Sequence, residues 1–343
     1  MTSYRTRRKR NIAVALAVVV ALVAALGAFL GTRHPTTGKP PVDQFTAYVG
    51  QGNPSGVHQV STLLGHEIGL ASDALGQRDW SGITDDESVI DRWKNSGYRM
   101  IWSVPMLPES GGVSLAEGAT GAYNTYFEQL ARNLVAAGMG DSYLRLGWEF
   151  NQSRYPWYPA GQPANFVAYW RQIVTTMRGV PGADFSFVWN PSRGDNGPKD
   201  AAMGNFADYY PGDDYVDIVG MDIYDTAWNR YPGEPAEFHT MLTQTWGLDW
   251  LARFGAEHDK PLAIPELGLG PFGPSAGAGQ PFTGSGNVGG GDDPAFISDM
   301  LQWISHHDVA FFSYWDFQES TIQNGANPQS LEALRQGLAG LGT

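Results

Sequence analysis

Two glutamates stand where apolar, β-prone runs give way to loops. Glu149 lies in Arg145-Leu146-Gly147-Trp148-Glu149-Phe150-Asn151, and Glu266 in Ile264-Pro265-Glu266-Leu267-Gly268. Carboxylates brought about 5 to 5.5 Å apart can open a glycosidic bond with retention of configuration: one attacks the anomeric carbon, and the other protonates the leaving oxygen and later takes a proton from water. The nucleophile must be ionised near neutral pH, so it needs cationic or hydrogen-bonding neighbours, whereas the acid needs a drier place. Arg145 and Tyr224 are placed to serve Glu266, which makes Glu266 the expected nucleophile and Glu149 the expected acid/base. Trp148 and Phe150 flank Glu149 and can help to desolvate it, although strand alternation turns both away from the opening.

Such a pairing needs a scaffold that aims two strand ends at one point. From Thr46 onward eight short apolar runs read as strands: 47–50, 68–75, 99–107, 142–150, 184–192, 216–225, 261–269 and 309–317. Amphipathic stretches of helical length separate most of them, among them 123–138, 165–178, 238–257 and 294–305, and a last one at 330–341 closes the chain. Strand–helix alternation of this kind implies parallel strands joined by right-handed crossovers, and eight units in one domain predict an α/β fold, a (β/α)8 TIM barrel. Chemistry in such barrels gathers where strands run into the following loops. Strands four and seven lie nearly opposite in a ring of eight, so Glu149 and Glu266 are expected to face each other across the mouth. Alternation places Gly147 and Arg145 below Glu149, and Ile264 and Leu262 below Glu266.

The string around Glu149, the run Tyr215–Asp225, the run Phe187–Ser192 and the run Leu262–Gly268 together resemble glycoside hydrolase family 26, in order and in spacing. The resemblance implies a retaining (β/α)8 hydrolase with its acid/base at Glu149, its nucleophile at Glu266, a tyrosine touching the nucleophile at Tyr224 and a sugar-stacking tryptophan at Trp315. The family's mannanases usually carry histidine just before the acid/base, where this chain has Trp148. The aromatic-rich run after it is altered to Gln152-Ser153-Arg154-Tyr155-Pro156-Trp157. The reaction class therefore follows from the resemblance, and the sugar stays open. Asp222 is placed to bond a hydroxyl or to pair with Arg145, Asn151 to support Glu149 or substrate, and Trp157 and Trp189 either to stack on a pyranose face or to pack in the core or rim. The expected substrate-contacting set is Tyr224, Trp315, Arg145, Trp148, Asn151, Asp222, Trp157 and Trp189, with an oligosaccharide or polysaccharide as partner.

Composition narrows the alternatives. The chain of 343 residues has no cysteine, which excludes a disulfide scaffold or a cysteine-ligated metal. Residues 41–343 hold 15 basic against 35 acidic residues, so they repel phosphate backbones and favour a neutral or cationic partner. His66-Glu67 lacks the second histidine of a zinc-protease helix, His306-His307 ends a helix far from the rim, and the glycine pattern at 284–289 opens no helix. Neither a metal nor a cofactor is expected. The glycine-rich stretch 270–293 reads instead as a flap beside Glu266.

At the start, Arg5, Arg7, Arg8, Lys9 and Arg10 precede an uncharged apolar run from Ile12 to Leu30, roughly 28 Å of helix. This predicts a cytoplasmic basic segment (1–11), a transmembrane signal-anchor (12–31), a linker (32–45) and an extracytoplasmic catalytic domain (46–343), monomeric, and secreted if the anchor is cleaved. Two other readings share the same residues: a silent barrel that binds glycan for a surface polysaccharide system, and a transglycosylase.

Overall fold

A computed structural model describes residues 44–84, 87–194, 202–227, 238–270, 288–289 and 291–341. Its frame is a nearly closed ring of parallel strands. In chain order they are β1 (Phe45–Tyr48), β2 (Leu70–Ala74), β3 (Arg99–Val104), β4 (Tyr143–Leu146), β5 (Ser186–Trp189), β6 (Ile218–Gly220), β7 (Ile223–Ala227), β8 (Leu262–Leu269) and β10 (Val309–Trp315), with the short β9 (Val288–Gly289) antiparallel to β7. The ladder runs β1-β10-β8-β6-β5-β4-β3-β2, and β7 continues β6 along β8. The first and last members of this path, β1 and β2, are bridged by Thr46 Oγ1, which donates to the Leu70 carbonyl at 2.8 Å. Each predicted strand is found, most of them shorter than expected. The predicted segments 1–11 and 12–31 and nearly all of the linker lie outside the described residues, as does most of 270–293. Among the described residues no helix is long and apolar enough to cross a membrane.

Helices coat the outside of the ring, and their starts are written into the chain. Asn53 caps the helix Pro54–Leu64 by accepting from the Gly56 N–H, and Asp293 caps Pro294–Ser305 by accepting from the Ala295 and Phe296 N–H groups. Both helices carry proline in the first turn, where its missing donor costs nothing. The helix Pro163–Arg178 buries Phe166, Tyr169, Trp170, Ile173, Val174 and Met177, a stripe spaced by three and four residues that lies on the sheet. The stretch expected as one helix over 238–257 is two, Phe238–Thr243 and Leu248–Glu257, because Trp246 takes a left-handed φ of 55° between them. Inside the ring, Tyr143 and Phe311 meet at 4.7 Å and Arg99 lies 3.8 Å over the Tyr143 ring, filling the space below the site.

Two departures from regular strand geometry set the catalytic rim. β4 stops at Leu146, and Gly147 (φ 57°) and Glu149 (φ 47°) both turn left-handed. Glu149 therefore reaches the mouth on a tight turn, not by simple alternation from Arg145. Glycine is required at 147, since an added Cβ would lie 2.5 Å from Met106 Sδ. On β8, Ala263 pairs with Gly220 and Leu267 with Ile223, so β8 holds one residue more than its neighbour over that span. The same excess appears against β10. This bulge falls at Pro265-Glu266, where proline's missing N–H is tolerated. The expectation that Leu262 and Ile264 lie beneath Glu266 is corrected accordingly. Leu262 faces outward against Gly255 of the helix Leu248–Glu257, and the extra residue turns Glu266 inward.

Candidate active site

Arg145 is the hub below the mouth. It is 1% exposed, and its whole fork is used: Nε donates to Asn190 Oδ1 (2.8 Å), Nη1 to Ser103 Oγ and Glu266 Oε1 (both 2.9 Å), and Nη2 to Asp222 Oδ2 (2.6 Å). Burial works against the Arg145 charge, but Asp222 and Glu266 outweigh it and hold the guanidinium above its usual range. Ser103 and Arg145 are register partners on neighbouring strands, and Asn190 follows the end of β5, so the polar layer arises from three adjacent strand ends.

Glu266 is gripped at both oxygens. Oε1 takes Arg145 Nη1, and Oε2 takes the Tyr224 hydroxyl at 2.5 Å. Burial and the neighbouring Glu266 charge push the Tyr224 hydroxyl well above its ordinary range, so it stays a donor. Glu149 is held differently. Its side chain is 7% exposed, and Arg154 Nη2 (2.5 Å) and the Tyr155 hydroxyl (3.1 Å) both donate to the same oxygen, Oε2. Among the described residues Oε1 has no hydrogen-bond partner. The turn is pinned from below, because the Glu149 N–H donates to the Asn190 carbonyl at 2.7 Å. Burial first, and then the Glu266 charge, push the Glu149 carboxyl above the usual glutamate range against the pull of Arg154 and Tyr155. The two carboxylates are thus electrostatic neighbours in different states of restraint.

An aromatic wall closes one side. Trp315 stacks on Tyr48 at 4.2 Å and 15°, with Tyr224 edge-on at 6.4 Å. Burial, Asp73 and Glu266 together push the Tyr48 hydroxyl up to about 12.

The structure brings Arg145, Asp222, Tyr224, Glu149 and Glu266 together, while several expected sugar contacts need correction. Trp189 is fully buried because alternation along β5 turns it to the helix layer, where its Nε1 donates to the Tyr209 carbonyl. Trp157 is also fully buried, donating to the Trp148 carbonyl. Trp148 is 7% exposed, and its indole N–H goes to the Tyr155 hydroxyl. Asn151 is buried and clamps the Ser192 backbone through Nδ2 and Oδ1. Arg145 and Asp222 lie under the carboxylate, out of a sugar's reach. Half-buried Trp315 and Tyr224 remain at the opening. Tyr48, Ser103, Asn190 and Arg154 were missed. Ser103 and Asn190 were findable as polar ends of neighbouring strands, and Arg154 as the cation nearest the acid in the post-strand run.

The sequence profile of glycosyl hydrolase family 26 matches residues 142–256, the stretch carrying Arg145, Glu149 and Asp222. Over that stretch the chain is similar to the family. Endoglucanase H of Acetivibrio thermocellus is 26% identical over 211 residues, covering 60% of this chain and 21% of the endoglucanase. An endo-β-1,4-mannanase from Cellulomonas fimi superposes with a TM-score of 0.55 at 19% identity, over 82% of this chain and 65% of that one. A family 26 β-mannanase from Bacteroides ovatus gives 0.54 at 16% identity, over 86% of both. The chain therefore spans about a fifth of the endoglucanase and somewhat under two thirds of the Cellulomonas enzyme, and at these identities the structural likeness speaks for the fold.

Proposed function

We propose that this chain is a retaining glycosidase that cuts within a β-1,4-linked glucan or mannan, with Glu266 as nucleophile and Glu149 as acid/base. The observation that carries the reading is the unequal hold on the two carboxylates. Glu266 has a donor on each oxygen, one of them from a guanidinium, so the carboxylate is held in one orientation at the mouth. Glu149 is buried, raised, and among the described residues has one oxygen without a partner, open to carry a proton. In the first step a Glu266 oxygen bonds to the anomeric carbon as the glycosidic C–O bond breaks, and the leaving oxygen takes the proton from Glu149. In the second, Glu149 accepts a proton from water, whose oxygen bonds to the anomeric carbon as the bond to Glu266 breaks, giving the hemiacetal product and freeing Glu266. Trp315, backed by Tyr48, offers a flat face to the sugar ring. The polymer class is suggested by the endoglucanase and mannanases that the chain resembles. Arg5, Arg7, Arg8, Lys9 and Arg10 and the apolar run 12–30 support an extracytoplasmic domain tethered to the membrane.

The test is a polysaccharide panel followed by labelling. A 2-fluoro glycosyl inhibitor of the preferred sugar should bond covalently to Glu266, and the released reducing end should keep its configuration by NMR. Inverted product, or labelling elsewhere, would overturn the mechanism. Longer oligosaccharides made from short ones would point to transglycosylation.

A further inference from the structure

We infer that Arg154, with Tyr155, is a positioning clamp that assigns the transferable proton to Oε1 of Glu149 and sets the pH at which that proton is lost. This rests on the acid/base reading of Glu149 and goes beyond it, since neither the family resemblance nor the comparisons give Arg154 a role. The geometry is specific. Arg154 Nη2 donates to Glu149 Oε2 and to the Tyr155 hydroxyl (3.1 Å), and Tyr155 donates to the same Oε2. The guanidinium rides 4.8 Å over the Tyr155 ring. That ring stacks at 4.6 Å and 10° on buried Trp157, whose indole is tied to the Trp148 backbone. Trp148 in turn donates to the Tyr155 hydroxyl. The altered aromatic run after the acid is thus a braced arm that ends on one oxygen.

Its chemical consequence follows from valence. Oε2, accepting two donors, can serve as the carbonyl oxygen of a protonated carboxyl and keep both bonds. The proton must then sit on Oε1, the atom left open, and neither Arg154 nor Tyr155 has to move during the cycle. The charged and titratable groups that act on Glu149 are Arg154 and Tyr155 on its own loop, Arg145 below it on β4, Glu266 across the mouth on β8, and Asp222 and Tyr224 between them. Arg154 and Arg145 favour the carboxylate, Glu266 and Asp222 oppose it, and Tyr155 stabilises it by hydrogen bonding. Arg154 alone among the six is largely exposed, 64% at the side chain, so it can be exchanged without opening the core.

Arg154→Gln removes the charge and keeps a donor; Arg154→Lys keeps the charge and loses the fork. The primary measurement is the 13C titration of the Glu149 carboxyl carbon in the free protein, assigned by its absence in Glu149→Gln. It needs no substrate, so it stands even if no sugar is ever cleaved. Arg154→Gln should raise the Glu149 midpoint by about one pH unit or more. Arg154→Lys should stay near the parent value, and added salt should move the parent toward Arg154→Gln. On a cleavable glycoside, the alkaline limb of kcat/KM should shift upward by the same amount in Arg154→Gln. Tyr155→Phe should lower kcat more than it raises KM, because the acid loses orientation. An unchanged Glu149 midpoint in Arg154→Gln would overturn the inference, as would equal shifts in the lysine and glutamine variants. A shifted midpoint without turnover on any polysaccharide would keep the clamp and sink the glycosidase reading.

Discussion

Replacing Arg145 by methionine tests the hub on which the site is built. The side chain is 1% exposed and satisfies Asn190, Ser103, Asp222 and Glu266 at 2.6 to 2.9 Å. Methionine fills a similar volume but leaves the Asp222 carboxylate, itself without exposed side-chain surface, facing no cation. Breaking a buried pair from one side costs about 3–5 kcal/mol. Set against a total of about 5–15 kcal/mol, such a loss brings the protein close to unfolding at room temperature. Urea denaturation should show the midpoint fall with an unchanged slope. Arg145→Met combined with Asp222→Asn should be less damaged than the sum of the singles, by about 1–3 kcal/mol, because the orphaned charge is gone. A single variant within about 1 kcal/mol of the parent, or strictly additive singles, would refute the idea that one cation sustains the buried carboxylates.

Tyr224→Phe removes the hydroxyl from Glu266 Oε2. A hydrogen bond to a charged group is worth about 1.5–3 kcal/mol, so kcat should fall roughly 10- to 150-fold, and an unchanged kcat would exclude a role for that bond. Glu149→Ala should cut ordinary glycosides slowly but recover on substrates with activated leaving groups, which need less proton donation. Equal loss on both would remove Glu149 from the acid role. Because the Glu149 carboxyl is raised on folding, the stability tied to it is full below the unfolded value of about 4.3 and declines as pH rises through the folded value. Glu149→Gln should therefore melt above the parent near neutral pH and lose that advantage as pH falls toward 4. A constant difference in Tm would contradict the shift. Trp157→Ala should destabilise by about 3–5 kcal/mol, as for a core tryptophan, where a pure sugar contact would change KM alone.

The apolar runs placed all eight strand positions, and with them the contacts Arg145–Glu266, Tyr224–Glu266 and Arg145–Asp222, because same-face alternation is a local rule that the chain obeys along most of its strands. It failed at both glutamates. Nothing in the letters Gly147-Trp148-Glu149 announces two left-handed residues, and the bulge at Pro265-Glu266 is visible only against neighbouring strands. The tryptophans misled for a related reason. A strand end has two sides, and burial on the helix side took Trp189 even though its neighbour Asn190 points inward. Arg154 went unread because an exposed arginine in a loop is ordinary until its partner is known.

Glu149 keeps a left-handed backbone that any residue but glycine enters at a cost of about 1–2 kcal/mol, and it buries a carboxyl there as well. Glycine at that place would relax the chain and free it of an enclosed ionisable group, leaving Arg154 to water. A mutational drift toward an inert but sturdier barrel therefore runs downhill. On the acid/base reading, the strained turn and the enclosed carboxyl are stability given up to present Glu149 at the mouth.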